Sequence, residues 1–255
     1  MANIVLLGRD SLSTRLLFAA LSKAGHTIIW HEERRDDRLE LLRRRAKRFG
    51  LVYVLSQLVF QIFQKVIFKF SKSRVKEIVG DLDALYDFEP LKVSKNLNNT
   101  SLSYIAEGNA DLVVLSGTRI LSIKTLNSFN AVPVVNIHAG VTPKYRGVHG
   151  GYWALVNCDA GNFGATLHFV DSGIDTGGVI SHVRVTPERD DNFTTYPLLQ
   201  QKAAIKVLLD VIPDVVDGTV DLNVQGNYNE ESLSNIWTHP TIFQYIANYV
   251  KFGVK

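Results

Sequence analysis

An α/β fold on a doubly wound, mostly parallel sheet is predicted by three observations. Residues 4–7 form a short apolar run ended by Gly8, residues 12–21 repeat apolar side chains at helical spacing and close at Gly25, and residues 26–30 form a second apolar run. That β-loop-α-β opening begins a doubly wound sheet. Further strand-like runs recur at 109–115, 132–135, 165–170 and 179–185, with helical stretches at 149–156 and 196–216 between and after them. Finally, 255 residues with 46% hydrophobic and 21% charged side chains suffice for one large domain with a full α/β core.

Each element has a local reason. The first strand is apolar throughout, as a strand covered on both faces must be. The N-terminal stretch lacks a basic region and a long apolar core, so it reads as that strand and not as a signal peptide. Gly8-Arg9-Asp10-Ser11 carries one glycine only; the G-x-G-x-x-G fingerprint is absent, which argues against a nicotinamide-dependent oxidoreductase. Gly150 and Gly151 weaken the first turn of the 149–156 helix. Pro213 is expected to end or kink the helix over 196–216. From Val220 the tail reads as a short strand or turn, then a last helix near 242–250.

Residues 34–80 stand apart as a helical insertion. Arg34, Arg35, Arg38, Arg43, Arg44, Arg45, Lys47 and Arg48 form a basic cluster that runs into a predicted amphipathic helix over Leu51–Phe70. There Gln57, Gln61, Gln64, Lys65 and Lys69 recur every three to four residues among apolar side chains. The two lysines argue against a membrane span. Packing of the apolar arc inside the protein or in a homodimer is expected over a membrane surface or another partner, because Glu32, Glu33, Asp36, Asp37 and Glu40 offset part of the basic charge. The net charge of +3 gives no basis for nucleic-acid binding. Cys158 is the single cysteine, so no intrachain disulfide forms, which suits a reducing cytoplasm. No metal-ligand spacing occurs.

The chemistry concentrates between residues 136 and 178. Asn136 and His138 end an apolar run and lie two apart, so on a strand their side chains project together. At the carboxyl end of a strand in an open sheet they face the ligand crevice. Asp175, before Thr176-Gly177-Gly178, adds a carboxylate; an amide donor, an imidazole and a carboxylate make a set suited to acyl transfer. Read singly, Asn136 also suits a strand end, His138 a loop, and Asp175 a turn.

The order Asn136-Ile137-His138, Pro143-Lys144-Tyr145-Arg146-Gly147, Trp153-Ala154-Leu155 and then Gly164 to Gly178 resembles the catalytic block of the folate-dependent formyltransferases. That family includes glycinamide ribonucleotide transformylase, methionyl-tRNA formyltransferase and sugar N-formyltransferases. Ala139-Gly140 departs from the usual Pro-Ser or similar, a change that alters the loop more than the chemistry. The resemblance spans residues 1–215, is specific over 111–180, and implies a Rossmann-like catalytic domain over 1–215 with residues 216–255 as a short extension packed on it. It implies transfer of a formyl group from 10-formyltetrahydrofolate to a small-molecule primary amine without a metal, and the roles that follow. Asn136 and His138 stabilise the developing oxyanion, and His138 with Asp175 moves the proton. Arg119, Ile120, Leu121, Val170 and Asp171 line the pterin pocket. Gly8, Arg9, Ser11, Tyr145, Arg146 and Gly147 meet the acceptor. His168 lies near the site, with a structural role expected at least as much. Forty residues after 215 are too few for the C-terminal barrel of the tRNA enzymes. The first loop departs from the Gly/Asn/Ser-rich phosphate loop of glycinamide ribonucleotide transformylase. A nucleotide-linked amino sugar of surface-polysaccharide synthesis is therefore the expected acceptor, with an amino acid or hydroxylamine in natural-product assembly as rival. A non-catalytic, membrane-recruited scaffold built on 34–80 is the alternative of another class.

Overall fold

The computed structural model describes residues 1–35, 37–220 and 233–255. Among them seven strands form one sheet: β1 (Asn3–Gly8), β2 (Thr27–Glu33), β3 (Lys92–Ser94), β4 (Leu112–Ser116), β5 (Val134–His138), β6 (Gly164–Phe169) and β7 (Val179–Arg184). Their order is β3-β2-β1-β4-β5-β6-β7. Pairing is parallel from β3 to β5 and antiparallel between β5, β6 and β7. Successive strands are added on one side of β1 up to β3 and on its other side from β4 onward, so the crevice at the carboxyl ends of β1 and β4 is where such folds take ligands.

The helices are α1 (Leu12–Lys23), α2 (Arg38–Phe49), α3 (Leu51–Phe70), α4 (Lys72–Val79), α5 (Leu82–Tyr86), α6 (Tyr104–Glu107), α7 (Ile123–Asn127), α8 (Gly150–Val156), α9 (Tyr196–Val216) and α10 (Ile242–Phe252). Ser11 caps α1 by accepting from the Thr14 amide, and Thr241 with Gln244 forms a reciprocal capping box at α10. Leu17 and Leu21 of α1 and Ala204, Ile205 and Leu208 of α9 pack on one face of the central strands. Leu97, Leu102, Ile105 and Phe129 cover the other. A third cluster is aromatic: Phe60, Tyr152, Phe193 and Tyr245 join α3, α8 and α10. Residues 233–255 are thereby sewn onto the body.

The structure departs from the sequence expectations in three places. Strand β4 begins at Leu112, not at Asn109, because Asn109 adopts a left-handed backbone (φ 54°) that no strand accepts. Helix α9 runs through Pro213 to Val216; the proline sits in its last turn, where its missing N–H forfeits a single bond. The strand or turn expected after Val220 falls mostly on residues outside those described. The third departure concerns α3, whose bounds agree with expectation; of the two coverings expected for its apolar arc, burial within the chain does not occur. Gln57 points inward and is 1% exposed, whereas Val52, Ile62 and Phe70 are 79%, 65% and 85% exposed. The inward face needed a polar side chain: Gln57 donates to the His239 carbonyl and accepts from Arg45. Burial of the amide is offset by those bonds.

Candidate active site

A cavity of about 490 Å³ opens at the carboxyl ends of β4 and β5. Its apolar wall is built by Leu115, Ile120, Leu121 and Val170, and its polar wall by Asn136, His138, His168 and Asp175. Asn136 and His138 occupy alternate positions of β5 and reach it together, as their spacing requires.

His138 is 6% exposed. Its Nε2 lies 2.7 Å from the Tyr145 carbonyl, an acceptor only, so Nε2 carries a proton and donates it there. Nδ1, the nitrogen not engaged by that carbonyl, lies 3.4 Å from Asp175 Oδ1. Gly140 makes this possible: a Cβ there would sit 2.2 Å from the Tyr145 carbonyl oxygen and 2.7 Å from His138 Nε2. The Ala139-Gly140 departure thus seats the imidazole.

Asp175 adopts a left-handed backbone (φ 52°), unusual for a non-glycine residue. Four hydrogen bonds hold it and its loop. Its Oδ2 accepts the Gly147 amide at 2.9 Å, Arg146 Nε donates to the Ile174 carbonyl at 2.8 Å, and Asp171 Oδ1 accepts from the Gly173 amide and the Thr176 hydroxyl. Asn136 Nδ2 lies 3.2 Å from His168 Nε2, while His168 Nδ1 donates to the Phe169 carbonyl at 2.7 Å. That second bond fixes the tautomer, so His168 Nε2 accepts from Asn136 and orients its amide, leaving one amide hydrogen for the cavity. Burial first, then the neighbouring His138, lowers the His168 pKa and keeps the ring neutral as this arrangement needs.

The remaining site expectations divide. Arg119, Ile120, Leu121, Val170 and Asp171 all line the cavity. The Arg119 guanidinium, however, pairs with the buried Glu33 carboxylate at 2.8 Å and donates to the Lys95 carbonyl, so the guanidinium is committed to the scaffold. Gly147 lines the cavity. Tyr145 and Arg146 do not: both are buried, the phenol donating to Asp159 and the guanidinium to the carbonyls of Ile174 and Ser234. Their side chains hold the loop and lie outside the cavity wall. Gly8, Arg9 and Ser11 also lie outside the cavity wall, with Ser11 spent on capping α1.

Sequence reasoning missed Trp237, Thr238, His239 and Arg45 on the cavity wall. The tail reaches it because Gly147 bridges Trp237, Trp153 Nε1 donates to the Thr238 carbonyl at 3.0 Å, and His149 Nε2 meets His239 Nδ1 at 2.9 Å. Arg45 donates to the neutral Gln57 amide oxygen, and among the described residues no carboxylate pairs with it. Burial lowers the His149 pKa well below its usual value, as does the adjacent His239; burial and then Arg45 push His239 down to about 4.

This pair sets an acid limb of stability. An unfolded histidine titrates near ~6.5, so between that value and about 4 the unfolded chain binds protons that the folded His239 refuses. Stability is therefore complete above ~6.5 and falls as pH drops through that window. Urea unfolding from pH 7 to 4 should show a steadily falling midpoint, with a shallower slope for His239→Asn. Equal slopes would remove His239 from the effect.

A seven-stranded sheet with an amide, an imidazole and a carboxylate over an apolar cavity at its switch point defines a ligand-binding α/β protein equipped for proton transfer. The formyl transferase family model matches residues 61–212, more than half of the chain, and the chain belongs to that family. It is 27% identical over 165 residues to the methionyl-tRNA formyltransferase of Agathobacter rectalis, covering 61% of this chain and 51% of that protein. The chain thus spans about half the length of that curated relative. In fold it is similar to a sugar N-formyltransferase from Shewanella sp. FDAARGOS_354, with TM-score 0.55 and 14% identity over 92% of this chain and 76% of that one. It is likewise similar to glycinamide ribonucleotide transformylase 1 from Symbiobacterium toebii, with TM-score 0.53 and 18% identity over 86% and 89%.

Proposed function

We propose that this protein transfers a formyl group from 10-formyltetrahydrofolate to a primary amine, and that the amine belongs to a nucleotide-linked amino sugar. The observation that carries the transfer is the approach of His138 Nδ1 to Asp175 beside an Asn136 amide with one hydrogen to spare, all on one cavity wall. The apolar wall of Leu115, Ile120, Leu121 and Val170 suits a flat pteridine ring, with the backbone of 117–121 offering its edge polar groups. When bound, the folate supplies a formyl carbon attached to a nitrogen leaving group.

The chain's own residues then have three tasks. Asn136 donates its remaining amide hydrogen to the negative charge that develops on the formyl oxygen. His138 Nδ1 and Asp175 accept the proton released by the attacking amine and return it to the departing nitrogen. The bond from His138 Nε2 to the Tyr145 carbonyl keeps the ring from turning during the exchange. Nitrogen–carbon bond formation and cleavage balance, and the proton moves from one nitrogen to the other.

Arg45 supports a phosphate-bearing acceptor. Its guanidinium stands on the cavity wall, an arrangement suited to the phosphates of a nucleoside diphosphate. A folate-release assay over nucleotide-linked amino sugars, amino acids and glycinamide ribonucleotide tests this reading. Turnover with a nucleotide-linked amino sugar, with KM raised in Arg45→Gln, is the expected result. Turnover confined to an amine without phosphate would reject the acceptor, and none with any amine would reject the transfer.

A further inference from the structure

Helix α3 buries a mixed face of Val54, Ser56, Gln57 and Phe60 and leaves a broad apolar face outward. Among the described residues its outward positions 52, 55, 59, 62, 66 and 70 carry Val52, Leu55, Val59, Ile62, Val66 and Phe70, each between 46% and 85% exposed. By length and composition α3 is apolar enough to cross a membrane, and only 22% of its most apolar stretch is buried. The face continues onto α10, where Phe243, Ile246 and Val250 are 73%, 51% and 79% exposed. Phe63 and Phe70 of α3 share a groove with Ile246 and Tyr249 of α10, so the two helices present one surface. A patch of this kind marks an interaction site.

The inward side of α3 excludes a spanning arrangement. Tyr53 bonds Thr238, Gln57 bonds His239, Phe60 lies in the aromatic cluster, and Ser71 accepts from Asn192 just beyond the helix. The helix is tied along its length to the body of the protein, so only its outer half is available to a lipid phase.

Charge selects the occupant. Residues 38–70 hold eight Lys and Arg against one Glu, a net +7 in a chain whose total is +3, so the rest of the molecule is net negative. Neither α3 nor α10 contains Asp or Glu. Exposed Lys47, Arg48, Lys65, Lys69, Lys72 and Lys251 lie on or beside the two helices. Of the acids that sequence alone sets against this charge, Glu33 is buried against Arg119 and Glu40 lies 4.0 Å from Arg44. Glu77, already paired with Arg74, and Asp190 are the acids that line this groove, so a two-fold interface between copies would set more cations than carboxylates against one another. An anionic bilayer supplies apolar depth and negative headgroups at once.

We propose that the outer face of α3 and α10 docks the protein flat on an anionic lipid bilayer. Because Gln57 links this helix to Arg45 and His239, the docked face lies directly behind the cavity wall.

Flotation of the full chain with vesicles tests the inference. Vesicles of phosphatidylglycerol and phosphatidylcholine in equal parts should carry the protein upward, phosphatidylcholine alone should not, and high salt should weaken the effect. Val59→Gln/Ile62→Gln removes apolar depth and Lys65→Glu/Lys69→Glu reverses charge, both at exposed positions. Each should lower the bound fraction at least about tenfold, with the far-ultraviolet circular dichroism unchanged. Light scattering without lipid should give a monomer. Failure to float, or a dimer that Val59→Gln/Ile62→Gln dissociates, would overturn the proposal, the latter assigning the face to a second copy.

Discussion

Replacing Asp175 by Asn is expected to lower kcat/KM by about 100- to 10,000-fold, the range for removing a positioned acid–base group. Asparagine keeps an oxygen for the Gly147 amide but cannot take a proton, so the loop stays while the chemistry fails. His138→Ala should fall in the same range, and Asn136→Ala should lose about 100- to 1,000-fold as a single oxyanion donor. Because the three act as one unit, a His138→Ala/Asp175→Asn double variant should be little worse than the worse single. Asp171→Asn provides the contrast. Its carboxylate braces the loop by accepting from Gly173 and Thr176 and makes no contact with His138, so its loss should be much smaller. Steady-state kinetics on purified variants decides this. A near-wild-type Asp175→Asn with a crippled Asp171→Asn would exchange the two assignments.

Asp191→Ala should produce the largest loss of stability. Asp191 is fully buried and receives two bonds from Arg74, at 2.9 and 3.0 Å, with further bonds from Thr195 and the Glu188 amide. Burial alone would raise its pKa, but the bonds from Arg74 and these neighbours more than offset that and lower it. Arg74 also meets Glu77 and Glu188, so it clamps α4 to the loop preceding α9. Removing Asp191 leaves Arg74 with only the exposed carboxylates of Glu77 and Glu188, so the loss should approach that of a broken buried pair, about 3–5 kcal/mol. The folded-state pKa is depressed, so this stability is present above the unfolded value near ~3.9 and is lost as pH falls through the folded one. Urea unfolding at pH 7 should show the full loss, and Asp191→Ala should lose its part of the acid limb below pH ~4. A loss under about 1 kcal/mol would mean that the pair behaves as a surface bridge.

Elements with a strong local period were legible in the sequence. Strand β1 and helix α1 stand where apolar spacing placed them, and α3 has the expected bounds because one periodic pattern runs between Gly50 and Ser71. The direction of that pattern was not legible. A period reveals that a helix has two faces, whereas the choice of inner face came from the polar needs of Arg45 and the His239 carbonyl. The cluster of Asn136, His138 and Asp175 was readable because two of them share a strand and the third lies in a Gly-rich turn. Trp237 to His239 were not, since only tertiary bonds from Gly147, His149 and Trp153 carry them about ninety residues back to the cavity. Tyr145 and Arg146 were read as ligand contacts from their motif. Their burial shows how a motif can describe the loop that supports a site as well as the site itself.

The central claim, that this cavity holds a reduced folate beside Asn136, His138 and Asp175, is tested most directly by calorimetric titration with 5-formyltetrahydrofolate, a stable analogue of the donor. The account predicts saturable binding at one site per chain, retained in Asp175→Asn and weakened in Leu121→Arg, which would fill the apolar wall with charge. Circular dichroism should confirm that the Leu121→Arg chain is folded. Absence of saturable heat at millimolar ligand with folded wild-type protein would contradict it.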